Sequence, residues 1–144
     1  MLEIATMTPA DIVDAIELWR DCEGVSLRGA DSPEGITRYL ERNPGCSFVA
    51  RDQGKLVGAA LAGHDGRRGY LNHVAMARTH RSQGIGRTLV ERCLAALREH
   101  GIHKCHLFVF ETNAEGRKFW GHLGWHERGN LLLMSFTEPG SENA

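Results

Sequence analysis

Two hydrophobic patterns alternate along the chain, one with apolar residues at every second position and one with apolar residues every three or four positions. Strand-like patterns occupy residues 2–7, 47–51, 55–62, 70–77, 105–110 and 130–136. Helical patterns follow start signals at Thr8-Pro9 and Ser32-Pro33 and recur in residues 85–100 and 113–123. Residues 105–110 are apolar on both faces, which predicts a central strand. This order predicts an α/β fold with one domain, residues 1–137, and a flexible tail, residues 138–144.

Composition narrows the class of protein. The 144 residues carry a net charge of −1, with 42% apolar and 24% charged residues, which is typical of a soluble globular protein and argues against a broad nucleic-acid surface. No apolar run approaches the roughly 20 residues of a membrane helix, and the first residues lack the basic segment of a signal peptide. The four cysteines form no CxxC pair. We therefore expect reduced thiols in a cytoplasmic protein without a metal site.

The segment RSQGIGRTLVERCLAAL, residues 81–97, places two glycines at the start of an apolar helix. Each glycine costs roughly 1 kcal/mol of helix stability relative to alanine, so the glycines either serve a ligand or merely begin the helix. The pattern in residues 70–110 predicts a strand, a turn, a helix and a strand, which form a βαβ unit with parallel strands. The turn lies at the carboxyl end of a strand, where free N–H groups and the helix dipole attract anions. We expect a phosphorylated ligand, in particular a diphosphate, although the spacing fits neither a Walker loop nor a dinucleotide fingerprint.

This segment resembles the signature of the GNAT superfamily of N-acetyltransferases, Arg/Gln-x-x-Gly-x-Gly/Ala, which Arg81 to Gly86 match. The resemblance extends to the apolar-small-apolar triplet Val74-Ala75-Met76, and further to Asn113-Ala114, Trp120 and Leu123-Gly124-Trp125. Within the superfamily the chain looks most similar to small uncharacterised bacterial members. The resemblance implies four helices around a mixed, mostly antiparallel sheet of about six to seven strands, in which strands four and five are parallel and splay apart.

The resemblance also implies acetyl coenzyme A (acetyl-CoA) as the cosubstrate. Its pyrophosphate would lie on the glycine turn, and its pantetheine arm would pair with strand four and contact Asn113 on the other side. Two aromatic residues of the last helix would lie beside it. The residues expected to bind acetyl-CoA are Val74, Ala75, Met76, Arg81, Ser82, Gln83, Gly84, Ile85, Gly86, Arg87, Thr88, Asn113, Phe119 and Trp120.

Acetylation of an amine needs a proton acceptor, a donor to the developing oxyanion and a way for the thiolate to leave. The usual family acid is a tyrosine at the position of Trp120, whose indole N–H cannot give up its proton. Several relatives have a glutamate that acts as the general base near the position of Asn72 or that of Phe108, and neither of these residues can accept a proton. The candidate base is His73, with Asn72 beside it, although strand alternation points His73 to the opposite face unless a bulge re-aims it. Tyr70 and Glu111 are weaker candidates.

The leading interpretation is therefore an N-acetyltransferase that acts on a primary amine of a small molecule or a protein terminus. The alternative is a non-catalytic module that binds acetyl-CoA as a sensor or interaction surface, because the usual tyrosine and glutamates are missing. Four acids flank the loop that covers the acceptor site in the family, and they either attract a cationic amine or are simply solvated: Asp21, Glu23, Asp31 and Glu34. We expect no nucleic-acid or membrane partner, and a homodimer is compatible with the resemblance.

Overall fold

A five-stranded sheet forms the centre of the molecule in a computed structural model that describes residues 1–144. Its strands lie in the order of the chain and are β1 (Leu2–Thr6), β2 (Phe48–Asp52), β3 (Lys55–His64), β4 (Gly69–Met76) and β5 (Cys105–Leu107). Neighbouring strands from β1 to β4 are antiparallel to each other, and β5 runs parallel to β4. The βαβ unit is thus confirmed, since α3 connects the one parallel pair of strands.

Four helices pack around the sheet, as predicted: α1 (Ile12–Arg20), α2 (Pro33–Arg42), α3 (Ile85–Glu99) and α4 (Ala114–His122). Side chains cap two of them. Ser32 accepts a hydrogen bond from the N–H of Gly35 at 3.1 Å, and Asn113 accepts one from the N–H of Gly116 at 3.0 Å. None of the helices combines the length and the apolar content needed to cross a membrane.

The two faces of the sheet carry separate hydrophobic cores. Alternate residues of β3 point to opposite faces: Ala59 and Leu61 pack with α1 and α2, whereas Ala60 and Ala62 pack with α3. We call these faces the α1–α2 face and the α3 face. This assignment matters for function because it shows to which face each side chain of β4 is directed.

Two of the strand predictions are wrong. Residues 105–110 do not form a central strand, because β5 spans only three residues at the edge of the sheet and Phe108 is 67% exposed. Residues 130–136 form no strand, and Leu132 is 91% exposed. The sheet therefore has five strands rather than six or seven. An apolar stretch forms a strand only where a partner strand offers hydrogen bonds, and the local pattern does not specify that partner.

The C-terminal residues approach the loop between α1 and α2. Residues 138–144 contain neither helix nor strand, and the N–H of Gly29 donates a hydrogen bond to the carbonyl of Asn143 at 2.6 Å. The end of the chain thus lies beside the loop that carries Asp31.

Candidate active site

A cleft opens between β4 and the residues that follow β5. The two strands pair from Gly69–Cys105 to Leu71–Leu107, and there the pairing ends while β4 continues to Met76. No strand pairs with residues 72–76 of β4 on this side, which include the triplet Val74-Ala75-Met76, although side chains of Cys22 and Arg81 donate to the carbonyl of Met76. An unpaired strand edge is the kind of backbone to which an extended ligand adds as a further strand.

A β-bulge interrupts β4 at the start of the cleft. Leu61 of β3 pairs with Asn72, but Ala59 pairs with Ala75, so β4 carries one extra residue between these pairs. Within the bulge His73 has a φ of 52°, in the left-handed region that non-glycine residues seldom adopt. Such strain persists only where the surrounding structure imposes it.

The bulge changes the face to which His73 points. Leu71, Val74 and Met76 pack on the α3 face, whereas Ala75 packs on the α1–α2 face. Regular alternation from Leu71 would send Asn72 to the α1–α2 face and His73 to the α3 face. The imidazole of His73 instead contacts Trp19 of α1, with ring centroids 5.1 Å apart. The structure therefore brings Asn72 and His73 to the same face of the cleft.

The partner of His73 is Asp31, from the loop between α1 and α2. Nε2 of His73 lies 2.8 Å from Oδ1 of Asp31, and both side chains are only 15% exposed. The hydrogen bond is therefore largely shielded from water, and it ties the loop before α2 to β4. Of the four loop acids singled out in the sequence, Asp31 is the one that contacts a candidate catalytic residue.

A cavity of about 370 Å³ opens beside Asn72 at the apex of the cleft, and we call it the apex cavity. Its lining residues come from α2, β3, β4 and the end of β5: Tyr39, Arg42, Asn43, Gly63, His64, Asp65, Tyr70, Asn72 and Phe108. Burial raises the pKa of Tyr39 to about 12, and a hydrogen bond with Asn72 opposes that rise. Tyr39 therefore remains a neutral phenol that can donate or accept hydrogen bonds.

The glycine turn presents free backbone amides at the start of α3. Gly84 has a φ of 80°, and a Cβ added to it would meet nothing within 4 Å. The first hydrogen bond of the helix runs from the N–H of Thr88 to the carbonyl of Gly84, so the N–H groups of Ile85, Gly86 and Arg87 have no acceptor within the helix. The open space and the free donors fit a phosphate group.

Arg81 lies at the rim of this turn and already has acidic and carbonyl partners. Its guanidinium donates to the carbonyl of Met76 at 3.4 Å and to Glu23 at 3.4 Å. The other oxygen of Glu23 accepts from Arg78 at 2.5 Å, and this hydrogen bond is the main cause that lowers the pKa of Glu23. The carboxylate of Glu23 thus pairs with both Arg78 and Arg81, the second of which is a predicted phosphate ligand.

The loop residues 22–24 cross the mouth of the cleft. The thiol of Cys22 donates to the carbonyl of Met76 at 3.7 Å, and a Cβ at Gly24 would lie 2.8 Å from the side-chain nitrogen of Asn113. This segment therefore touches β4 on one side of the cleft and the start of α4 on the other. Asn113, predicted to contact the pantetheine arm, serves in this structure as the N-cap of α4.

Phe119, Trp120 and Trp125 form an aromatic cluster on the α3 face. The ring of Trp120 lies edge-on to both neighbours, at centroid distances of 5.0 Å and 5.1 Å, and packs against the core of that face. A Cβ at Gly86 would come within 3.1 Å of Phe119, so this cluster also touches the glycine turn. Trp120 is therefore placed as a packing residue at the edge of the predicted cofactor site.

The remaining candidates take minor positions. The hydroxyl of Thr88 donates to the carbonyl of Gly84 at 3.0 Å, and the side chain of Gln83 donates to the carbonyl of Thr79 at 3.4 Å. Ser82, with a φ of 64°, and Arg87 are exposed. Glu111 is exposed as well, and only its backbone carbonyl is engaged, by Arg117. No group of three His, Cys, Asp or Glu side chains has the arrangement of a metal site.

Sequence reasoning missed Tyr39 altogether and gave Asp31 no partner. The helical spacing of Ile36 and Tyr39 on α2, with Asn43 directly after the helix, indicates one shared face, which is a signal that Tyr39 points inward. No comparable local signal exists for the pair of Asp31 and His73, because it depends on the bulge.

Comparison with known proteins decides the family. The family model described as "Acetyltransferase (GNAT) family" matches residues 12–125. The chain belongs to the GNAT family of acetyltransferases. An acetyltransferase from Pectobacterium atrosepticum is 34% identical over 113 residues, which cover 78% of this chain and 79% of that protein. This member of the family is accordingly an acetyltransferase.

Solved structures share the same fold. The PaiA N-acetyltransferase of Thermoplasma acidophilum, in complex with coenzyme A, has a TM-score of 0.74 at 19% identity, over 85% of this chain and 87% of that one. The ribosomal-protein-S18-alanine N-acetyltransferase of Escherichia coli has a TM-score of 0.73 at 22% identity, over 89% and 79%. At these identities the likeness concerns the fold alone.

Proposed function

We propose that this protein transfers the acetyl group of acetyl-CoA to a primary amine of a small molecule or a protein terminus, by direct attack while both substrates are bound. The observation that carries the proposal is the glycine turn, where Gly84 leaves open space in front of free backbone amides at the end of β4. The family to which the chain belongs uses acetyl-CoA. The cleft adjoining the turn offers an unpaired strand edge for a pantetheine arm.

In the proposed complex the pyrophosphate lies on the amides of residues 83–87, with Arg81 at the rim, because the N–H of Thr88 already donates to the carbonyl of Gly84. The amides and the helix dipole supply the positive potential that stabilises a diphosphate. Ala75 and its neighbours Val74 and Met76 supply the backbone edge for the arm, and the N–H near Met76 faces the carbonyl oxygen that becomes an oxyanion. Bound acetyl-CoA contributes the thioester that the amine attacks.

The acceptor amine approaches from the α1–α2 face. The side chains of Asn72 and His73 are directed to that face: Asn72 lines the apex cavity with its neutral Tyr39, and His73 pairs with Asp31. His73 accepts the proton that the amine must lose, and Asn72 and Tyr39 orient the amine by hydrogen bonds. Trp120 packs beside the cofactor without a proton to give, so the thiolate leaves unprotonated and takes up its proton from water.

The proposal includes two statements about the whole molecule. We infer a homodimer, because Leu131, Leu133 and Met134 are 62%, 72% and 88% exposed and an apolar segment of this kind favours association; light scattering after gel filtration gives the mass that decides it. We infer a reducing compartment such as the cytoplasm, because all four cysteines are free.

Two measurements test the activity. Calorimetry of the purified protein with coenzyme A should detect binding, and substitution of Gly84 should weaken it. Release of free thiol from acetyl-CoA should then require one of a panel of amines: a diamine, an amino sugar, an aminoglycoside and a peptide with a free N terminus. Binding of coenzyme A with no thiol release on any of these amines would favour the sensor alternative, and absence of binding would contradict both.

A further inference from the structure

The carboxylate of Asp31 is fixed by two different partners. Oδ1 lies 2.8 Å from Nε2 of His73, and Oδ2 accepts a hydrogen bond from the backbone N–H of Arg28 at 2.9 Å. The second bond closes the short turn Gly29–Asp31 that precedes α2. The carboxylate therefore cannot rotate without breaking one of the two bonds, and the backbone determines which oxygen faces His73.

This arrangement selects the tautomer of His73. A carboxylate only accepts hydrogen bonds, so Nε2 of the imidazole must carry the hydrogen in the pair. In the neutral ring the lone pair then lies on Nδ1. Trp19, which is fully buried, packs against the imidazole and restricts its rotation. The bulge, the carboxylate and the indole together hold the ring in one orientation.

We propose that Asp31 is a positioning residue that keeps His73 in the Nε2–H tautomer and so makes Nδ1 the proton acceptor for the attacking amine. The inference rests on the proposed function, because it takes acetyl transfer to an amine as the reaction. In that step the amine nitrogen bonds to the acetyl carbon, and the carbon–sulfur bond breaks with its electron pair on sulfur. The proton lost by nitrogen moves to Nδ1. The imidazolium stays paired with Asp31 and then releases the proton to water, from which the thiolate takes one up.

The variant Asp31→Asn tests whether Asp31 sets the tautomer of His73 or only contacts it. The N–H of Arg28 needs an acceptor, so the new amide places its oxygen there and turns its NH2 group toward His73. Since NH2 donates, Nε2 must accept and the ring hydrogen moves to Nδ1, which is the wrong tautomer for catalysis. We expect kcat to fall by about 10²-fold or more while KM for acetyl-CoA stays unchanged.

Two further variants complete the kinetic experiment. His73→Asn should lower kcat about as much as Asp31→Asn, because asparagine lacks the base. The variant should still fold, since asparagine tolerates the left-handed backbone of the bulge. The double variant should be no slower than either single one, since the two residues act as a unit. Glu41→Gln removes an exposed carboxylate at the far end of α2 and should keep the wild-type kcat.

A spectroscopic readout tests the geometry without turnover. In protein labelled with ¹⁵N at histidine, the nuclear magnetic resonance shifts of His73 should show Nε2 protonated in the wild type and Nδ1 protonated in Asp31→Asn. A wild type protonated at Nδ1, or an Asp31→Asn variant with unchanged kcat, would overturn the inference. Failure of the proposed function looks different, because the wild type would then release no thiol with any amine although its spectrum still showed Nε2–H.

Discussion

A methyl group at position 86 would lie 2.6 Å from the terminal carbon of Met76, so the absence of a side chain at Gly86 leaves the space that Met76 fills. Gly84, two residues earlier, meets nothing within 4 Å and has a φ of 80°. The two positions of the turn thus require glycine for different reasons. Gly86 makes room for the packing of α3 on β4, whereas Gly84 serves a left-handed bend that faces open space.

Gly84→Ala should weaken the binding of coenzyme A by at least about tenfold while the protein stays folded. The new methyl group strains the left-handed bend by about 1 kcal/mol and projects into the space proposed for a phosphate. Gly54→Ala is the matched control, since Gly54 has a φ of 84°, also meets nothing within 4 Å and lies in the turn between β2 and β3. Thermal denaturation should show that both variants lose a similar amount of stability. Calorimetry should show that only Gly84→Ala loses affinity for coenzyme A. Equal affinities in the two variants would contradict the phosphate site.

Glu23→Gln should bind coenzyme A more tightly, by about threefold at low salt. The carboxylate of Glu23 pairs with Arg81 and Arg78, and its lowered pKa keeps it ionised at neutral pH, so it competes with phosphate for the same guanidinium groups. The gain should shrink at high salt, because these side chains are exposed and screened. Glu127→Gln, which removes an exposed partner of Arg117 on α4, is the control. Weaker binding in Glu23→Gln would mean that Glu23 orients the arginines instead of competing for them.

Trp120→Phe should retain kcat within about threefold at saturating acetyl-CoA. The indole packs edge-on between Phe119 and Trp125, so its replacement by a smaller ring should lower the free energy of unfolding by about 1–2 kcal/mol without removing a proton donor. Trp120→Tyr places a hydroxyl where the family usually has one, so its comparison with Trp120→Phe shows whether a proton donor at this position matters. Thiol release measured for both variants decides the role: a loss in the phenylalanine variant that tyrosine restores would show that the thiolate needs a donor there.

Local patterns predicted the helices and the glycine turn because the signals lie within a few residues of one another. The start signal at Ser32 and the periodicity of α3 are examples, and both elements form as expected. Pairings between distant segments could not be predicted in the same way. Residues 130–136 have a strand-like pattern but no partner, and β5 ends at Leu107 although apolar residues continue to Phe110.

The candidate site shows the same division. The amides of the glycine turn follow from residues 81–88 alone, whereas the pair of Asp31 and His73 joins residues 42 positions apart. That pair also depends on the bulge, which adds one residue to β4 opposite Ala59 and Leu61. The sequence shows that a bulge could re-aim His73, but not that the partner on the other face is a carboxylate.

The buried thiols give a prediction about pH. Burial raises the pKa of Cys93 to about 12 and that of Cys105 to about 11, from an ordinary value of 9.0, because the thiolate is disfavoured in an apolar environment. At pH 8 the native protein should therefore react with fewer than one equivalent of a disulfide reagent in the minutes in which the denatured chain reacts with four.

These shifts also determine how stability changes with pH. The unfolded chain releases thiol protons above about pH 9, whereas the folded chain holds them until about pH 11–12. The stabilisation is therefore complete below pH 9 and is lost as the pH rises through this range. Urea denaturation measures the free energy of unfolding at pH 7 and at pH 10.5. Between these pH values it should decrease less for Cys93→Ala than for the wild type, because the variant has one such thiol fewer. An equal decrease in both proteins would show that Cys93 ionises as readily in the folded chain as in the unfolded one.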